Sequence, residues 1–172
     1  MLLIVPALAL VLTACGASGP RPGTALALDG VRVTTGHVDD VAARYCSALT
    51  KVGTSVSAQT VRTQVVSALA ARMVAQRFAD VEGIEPGASY ATEVNQLRKQ
   101  LSTFDEKTQD AIVEVEGSQS YVSAVIGKSG EKPFTDWLAS QHVVVNPVYG
   151  ISLDDGRFTQ VDPSISVAAS QL

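Results

Sequence analysis

The sequence predicts a mainly α-helical domain with one small β-sheet, built from strands at the two ends of the folded region. Five segments in the middle of the chain repeat apolar residues at three- and four-residue spacing, as amphipathic helices do. Short runs rich in Val and Thr precede and follow these segments, which is typical of strands. Because an isolated two-stranded hairpin is only marginally stable, we expect the two ends to pair as one sheet beside a helical body.

A hairpin is predicted at the start of the folded region. Residues 24–28 and 31–34 are the expected strands, because the Asp29-Gly30 pair between them is a common hairpin turn. Thr34 and Thr35 follow with hydroxyl groups that can cap the first turn of a helix.

Each long helix is predicted from its apolar stripe, with a capping residue before it and a glycine or a turn after it. Ser57 and Asp105 are the expected caps of the second and fourth helices, and Gly83 is the expected end of the second. The predicted helices cover residues 36–52, 58–82, 88–103 and 105–127, followed by a short fifth helix that holds Phe134, Trp137 and Leu138.

The chain is predicted to return to strands after the fifth helix. Residues 142–146 are rich in Val, and Pro147 ends this run because proline has no N–H to donate. Residues 148–151 and 157–161 are the next strand-like runs, and the Asp155-Gly156 pair between them is a second hairpin signal.

The composition excludes several classes of function. Its 172 residues are 46% apolar and 17% charged, which fits one globular domain and disfavours a disordered chain. The net charge is −4 and Lys and Arg form no run, so we expect no nucleic-acid partner.

The sequence lacks the common motifs that bind nucleotides, that bind metals or that form a catalytic site. Gly127-Lys128-Ser129 resembles the end of a phosphate-binding loop, but the earlier glycine and the preceding strand are absent, so no nucleotide is expected. The two His and two Cys show no metal-ligand spacing, and no G-x-S-x-G elbow occurs. We therefore expect no cofactor, no metal and no enzymatic activity.

The N-terminal segment predicts export. Residues 1–14 read MLLIVPALALVLTA, which is uncharged and shorter than the ~20 residues that span a bilayer, as in the core of a signal peptide. The Leu12-Thr13-Ala14-Cys15 sequence at its end resembles the lipobox of bacterial lipoproteins. This resemblance implies cleavage before Cys15, a lipid on that thiol, and anchoring at the extracytoplasmic face of the cell membrane.

The lipid anchor would leave Cys46 as the remaining thiol, and we expect it to pack in the core beside Tyr45. The predicted organisation is a signal peptide (1–14), a lipidated and flexible linker (15–23), one folded domain (24–161) and a loose tail (162–172).

Six aromatic residues in the second half of the chain are the candidate binding residues. Aromatic residues on helices are more often part of a core than of a binding surface, but their clustering also fits a groove for extended apolar peptides. These residues are Tyr90, Phe104, Tyr121, Phe134, Trp137 and Tyr149.

Two segments resemble the N-terminal chaperone domain of SurA-type exported foldases. The ALDGVRVT sequence of residues 27–34, with Val38-Asp39 after it, is similar to the strand–turn–strand–helix start of that family. The NPVYG sequence of residues 146–150 is similar to the closing strand in short actinobacterial lipoproteins of this type.

The SurA resemblance implies an ATP-independent chaperone that binds unfolded or extended apolar polypeptide segments. Many members also carry a parvulin prolyl isomerase domain, but here only residues 128–141 could hold an insertion, so isomerase activity is not implied. The alternative is a non-catalytic adaptor lipoprotein that docks one folded partner at the envelope.

Overall fold

The computed structural model describes residues 21–154 and 157–160. The predictions for the signal peptide, for Cys15, for the Asp155-Gly156 turn and for the tail at 162–172 lie outside these residues.

The described chain contains five α-helices and five short strands, which confirms the predicted class. The helices are α1 (Thr35–Lys51), α2 (Ala58–Glu82), α3 (Ala88–Gln100), α4 (Glu106–Ser129) and α5 (Glu131–Ala139). The strands are β1 (Thr24–Leu28), β2 (Val31–Thr34), β3 (Val144–Val145), β4 (Ile151–Asp154) and β5 (Arg157–Gln160), with a 3-10 turn at Pro147–Tyr149.

The predicted helix caps are present at α1, α2 and α4. The side chains of Thr34, Ser57 and Asp105 each accept a hydrogen bond of 3.1 Å from the backbone N–H three residues further on. Such a cap stabilises a helix by about 1 kcal/mol. Helices α3 and α5 follow Gly87 and Gly130, whose φ angles of 88° and 90° turn the chain sharply without a side-chain cap.

Two helix ends differ from the predicted positions by two residues or more. Helix α3 ends at Gln100 rather than at residue 103, because the chain turns there and Phe104 N–H bonds the carbonyl of Leu101 at 2.9 Å. Helix α4 continues through Gly127 to Ser129 and ends at Gly130, which has the positive φ. Glycine favours the end of a helix because it adopts a positive φ without strain, and Gly130 rather than Gly127 has that φ.

Helix α2 lies at the centre of the molecule and is buried on more than one face. The apolar stripe that predicts this helix accounts for five of its large buried side chains, Val61, Val65, Leu69, Met73 and Phe78, whereas Val81 at the end of the stripe is exposed. Small residues off that stripe are buried as well, and they pack against α1, α4 and the sheet: Val66, Ala70, Val74, Ala75 and Ala79.

The two ends of the domain meet in an antiparallel sheet with the order β2-β1-β3, which confirms the predicted pairing. Leu26 pairs with Val145, and Asn146 extends the contact. The Asn146 N–H donates to the carbonyl of Ala25 at 2.8 Å, and its side-chain amide donates to the carbonyl of Thr24 at 3.1 Å. These contacts hold together residues that are 122 positions apart.

Only a short part of the C-terminal region joins this sheet. Strands β4 and β5 pair with each other as a separate two-stranded sheet. Pro147 begins the 3-10 turn, and Gly150 follows it with a φ of 65°, so the chain changes direction between β3 and β4. The turn removes β4 from the line of β3, which explains why the described strands form two sheets rather than the single sheet that the sequence predicts.

Candidate functional site

The six candidate aromatic side chains lie in four different sets of contacts. Phe134 and Trp137 of α5 both pack against Phe78 of α2, with ring centroids 5.3 Å apart in each pair. Phe134 is buried and Trp137 is partly buried. This cluster attaches α5 to the core.

Tyr90 and Tyr121 form a second aromatic pair, which joins α3 to α4. Their centroids are 5.2 Å apart and the rings are nearly perpendicular. The guanidinium carbon of Arg72 lies 5.3 Å from the centre of the Tyr121 ring, a cation–π distance. Burial is the main cause that raises the pKa of Tyr121.

The remaining two candidates are separate from both pairs. Phe104 carries the ammonium of Lys51 over its ring, 4.7 Å from the centroid. Tyr149 is buried, and its carbonyl accepts a hydrogen bond from Thr63 at 3.3 Å. The structure thus brings the six aromatic residues together in pairs at most, and Tyr121, Phe134 and Tyr149 are core side chains.

A cleft lined by both apolar and charged groups lies elsewhere, beside strand β2. We call it the β2 cleft; its volume is about 360 Å³. Its apolar wall comes from β2, α2 and α4: Val31, Val33, Leu69, Met73 and Val113. Val31 is 49% exposed although it lies on the same side of the sheet as buried residues.

The polar wall of the β2 cleft contains two cations and two anions. Arg98 pairs with Asp110 at 2.7 Å, and Glu114 pairs with His37 at 2.9 Å. Arg72 pairs with no carboxylate among the described residues, and its Nη1 atom is buried there without a hydrogen-bond partner. The charge of Arg72 is therefore the least compensated of the four.

Nothing in the local sequence marks Arg72 and Arg98 as site residues. Arg72 lies off the apolar stripe of α2, where an arginine normally extends into solvent. Its position becomes notable only when α4 places Tyr121 against it and β2 closes the other side. The cleft forms where β2, α2, α3 and α4 approach one another, and no local sequence pattern signals that approach.

A hydrogen-bond network joins α1 to α2 and α4. The hydroxyl of Tyr45 donates to Glu116 and accepts from the side-chain amide of Gln64 at 3.2 Å. Burial, followed by the neighbouring Glu116 carboxylate, raises the pKa of Tyr45 to about 12. A second contact, between His37 and Glu114 at 2.9 Å, also links α1 to α4.

A second cleft of about 390 Å³ lies between α1 and α2 and includes Cys46. Cys46 is partly buried and packs against the core, near the predicted position beside Tyr45. Within residues 21–154 and 157–160, no group of three His, Cys, Asp or Glu side chains could hold a metal ion. None of the helices described in this range is long and apolar enough to span a bilayer.

No family model, curated protein or solved structure matches the chain. The SurA resemblance therefore stays a prediction.

Proposed function

We propose that this protein is an exported lipoprotein that binds unfolded or extended apolar polypeptide segments without ATP, as a chaperone. Cys15 would anchor it through lipid at the extracytoplasmic face of the cell membrane. The proposal includes no enzymatic or prolyl isomerase activity, no cofactor, and no nucleic-acid or nucleotide partner.

The observation that supports this proposal most directly is the β2 cleft. It combines an apolar wall with charged groups and opens beside an edge strand, where Val31 is half exposed. Mostly apolar concave sites with a few polar groups are typical of sites for peptides and other ligands. A cleft of this kind fits an extended segment of a client better than a folded protein surface.

The distribution of exposed apolar residues favours the chaperone over the adaptor. Docking to one folded partner usually needs a contiguous apolar patch with a polar rim. The large exposed apolar residues of the described chain lie on different elements or at different helix ends: Val31, Val52, Val81 and Val148. Of these, Val31 lines a cleft.

Binding must be weak enough to allow release, because no nucleotide drives it. We expect micromolar dissociation constants, which correspond to about −8 kcal/mol, with fast exchange. Weak capture of transiently exposed apolar segments is sufficient to slow aggregation.

The test uses the full chain reconstituted in lipid nanodiscs and an unfolded client protein, with aggregation followed by light scattering. We expect aggregation to slow as the ratio of chain to client rises, with and without ATP. Empty nanodiscs are the control. No suppression at several-fold excess, together with one stoichiometric partner after crosslinking in cells, would support the adaptor instead.

The anchor is tested separately by the Cys15→Ser variant. We expect this change to abolish metabolic labelling by a fatty acid and to remove the protein from the lipid-anchored fraction, because a hydroxyl is a much weaker nucleophile than a thiolate. A Cys46→Ser variant is the matched control and should keep the label. Acyl labelling of Cys15→Ser would contradict the proposed attachment site.

A further inference from the structure

We propose that the β2 cleft binds an extended segment by adding it as a strand to the free edge of β2, with an Asp or Glu side chain of that segment on Arg72. This inference rests on the proposed function, because it names the kind of segment that the chaperone would prefer. It commits to an acidic side chain within an otherwise apolar, extended stretch.

Strand β2 has an edge that no other described strand covers. It is the terminal strand in the order β2-β1-β3, and its register with β1 places Val31 opposite Leu28 and Val33 opposite Leu26. Residues directly opposite in an antiparallel pair extend to the same side of the sheet. Leu26 and Leu28 are buried, so the Val side of β2 is the core side of the sheet.

An added strand would therefore place every second side chain on that same core side. These side chains would lie next to Val31 and Val33, over the part of the cleft formed by Met73 and Arg72. The backbone of the segment would pair with the N–H and C=O groups on the uncovered edge. This mode of binding accepts many sequences, because backbone hydrogen bonds give most of the affinity.

Arg72 supplies the preference for an acidic residue. Contact with the Tyr121 ring holds its guanidinium, and the burial of Nη1 removes water from one end of it without giving it a partner among the described residues. The charge of a guanidinium is delocalised over all three nitrogens. A carboxylate on the side that lines the cleft would compensate the whole group.

The neighbouring charges limit the ligand to a single negative charge. Asp110 and Glu114 line the same cleft as Arg72 and Arg98, so the four formal charges balance. A doubly charged phosphate would meet both carboxylates, whereas one carboxylate can approach Arg72 with less repulsion. The geometry thus favours an Asp or Glu side chain over a phosphorylated residue.

The test measures the affinity of short labelled peptides by fluorescence anisotropy, with the full chain in nanodiscs of zwitterionic lipid. The peptides alternate Val and Thr and carry Glu, Gln or phosphoserine at the centre. We expect the Glu peptide to bind about tenfold more tightly than the Gln peptide, as one charge-assisted pair would give. Equal affinities, or tighter binding of the phosphoserine peptide, would overturn the carboxylate preference.

Two variants assign the preference to the cleft. Arg72→Gln should abolish the difference between the Glu and Gln peptides. Arg62→Gln is the matched control on the same helix, since Arg62 pairs with Asp39 outside the β2 cleft, and it should keep the difference. Because Arg72 also contacts Tyr121, the half-exposed Val31 provides a second variant: Val31→Glu should weaken the Glu peptide more than the Gln peptide.

Strand addition is tested on the unaltered protein with N-methylated peptides. Methyl groups on one set of alternate residues should block pairing with β2, while methyl groups on the other set should leave the affinity unchanged. Equal effects of the two sets would overturn strand addition. The inference would be disproved if the peptide affinity did not change with the Arg72 and Val31 variants or with N-methylation. The chaperone proposal would still hold if the protein suppressed aggregation in that case.

Discussion

Helices α2 and α3 have similar apolar repeats in the sequence, but only α2 forms the core. Ten residues of α2 are buried, whereas no residue of α3 is. The repeat in α3 predicts one contact face correctly, since Tyr90 is partly buried and packs on Tyr121 of α4. The difference lies off the stripe, where α2 has Ala and Val and α3 has Thr, Glu, Asn and Gln.

The apolar repeat of a helix thus predicts which face packs against its neighbours. The residues beside that repeat predict how many of the helix's other faces are buried. Small apolar residues let neighbouring helices approach α2 from several directions. Among the described elements α3 packs mainly against α4, because its other faces are polar, and the pair of Arg98 with Asp110 holds its C-terminal end.

We expect the largest loss of stability from a truncation in the buried part of α2. Phe78 is 1% exposed and contacts both Phe134 and Trp137, so Phe78→Ala should lower the free energy of unfolding by about 3–5 kcal/mol. Urea unfolding followed by circular dichroism measures the change. A loss below about 1 kcal/mol would mean that α2 is less central than its burial indicates.

The second prediction concerns the contact of α1 with α4 beside the core. Because the pKa of Tyr45 is raised from 10.0 to about 12, the folded state keeps a proton that the unfolded state loses. This contribution to stability is complete below pH 10 and is lost as the pH rises to about 12.

The measurement for Tyr45 is the urea midpoint as a function of pH for the wild type and for Tyr45→Phe. We expect the phenylalanine variant to be less stable by about 1–2 kcal/mol at neutral pH, since the hydrogen bonds of the hydroxyl with Glu116 and Gln64 are both lost. The gap between the two proteins should then close as the pH rises through the window from 10 to 12. A gap that widens with pH would contradict the sign of the pKa shift.

The third prediction tests the α3 side. Leu97 is partly exposed, so Leu97→Ala should lower the free energy of unfolding by about 1 kcal/mol, well below the effect of Phe78→Ala. Hydrogen exchange should show that α3 opens more readily than α2 in both proteins. A Leu97→Ala variant that loses as much stability as Phe78→Ala would remove the distinction between the two helices.

The smallest expected effect is a gain in stability. Gly117 lies in the middle of α4, and a methyl group there would meet Val113, Tyr90 and Val94 at 3.8 to 4.0 Å, which is ordinary contact. Gly117→Ala should therefore raise the free energy of unfolding by about 0.5–1 kcal/mol, because alanine is the better helix former. A decrease in the urea midpoint would show that α3 packs on α4 more tightly than this space allows.

The sequence was sufficient for the elements whose signals are local. The Asp29-Gly30 turn, the caps at Ser57 and Asp105, and the strand that ends before Pro147 depend on neighbouring residues, and the structure has them near the predicted positions. The β2 cleft was not predicted because Arg72, Arg98 and Val31 come from three elements whose approach is decided by packing. The sequence left open whether the aromatic residues belong to the core or to a binding surface, and the structure places Tyr121, Phe134 and Tyr149 in the core.

The hydrogen bonds between Asn146 and β1 also constrain the order in which the domain folds. Its partners Thr24 and Ala25 leave the ribosome long before residue 146, so during synthesis β1 can pair with β2 but must wait for β3. Closing so long a loop is slow compared with forming the helices between its ends. Until it closes, both edges of the β1–β2 hairpin are unpaired, so a strand of another unfolded chain can compete with β3 for the edge of β1.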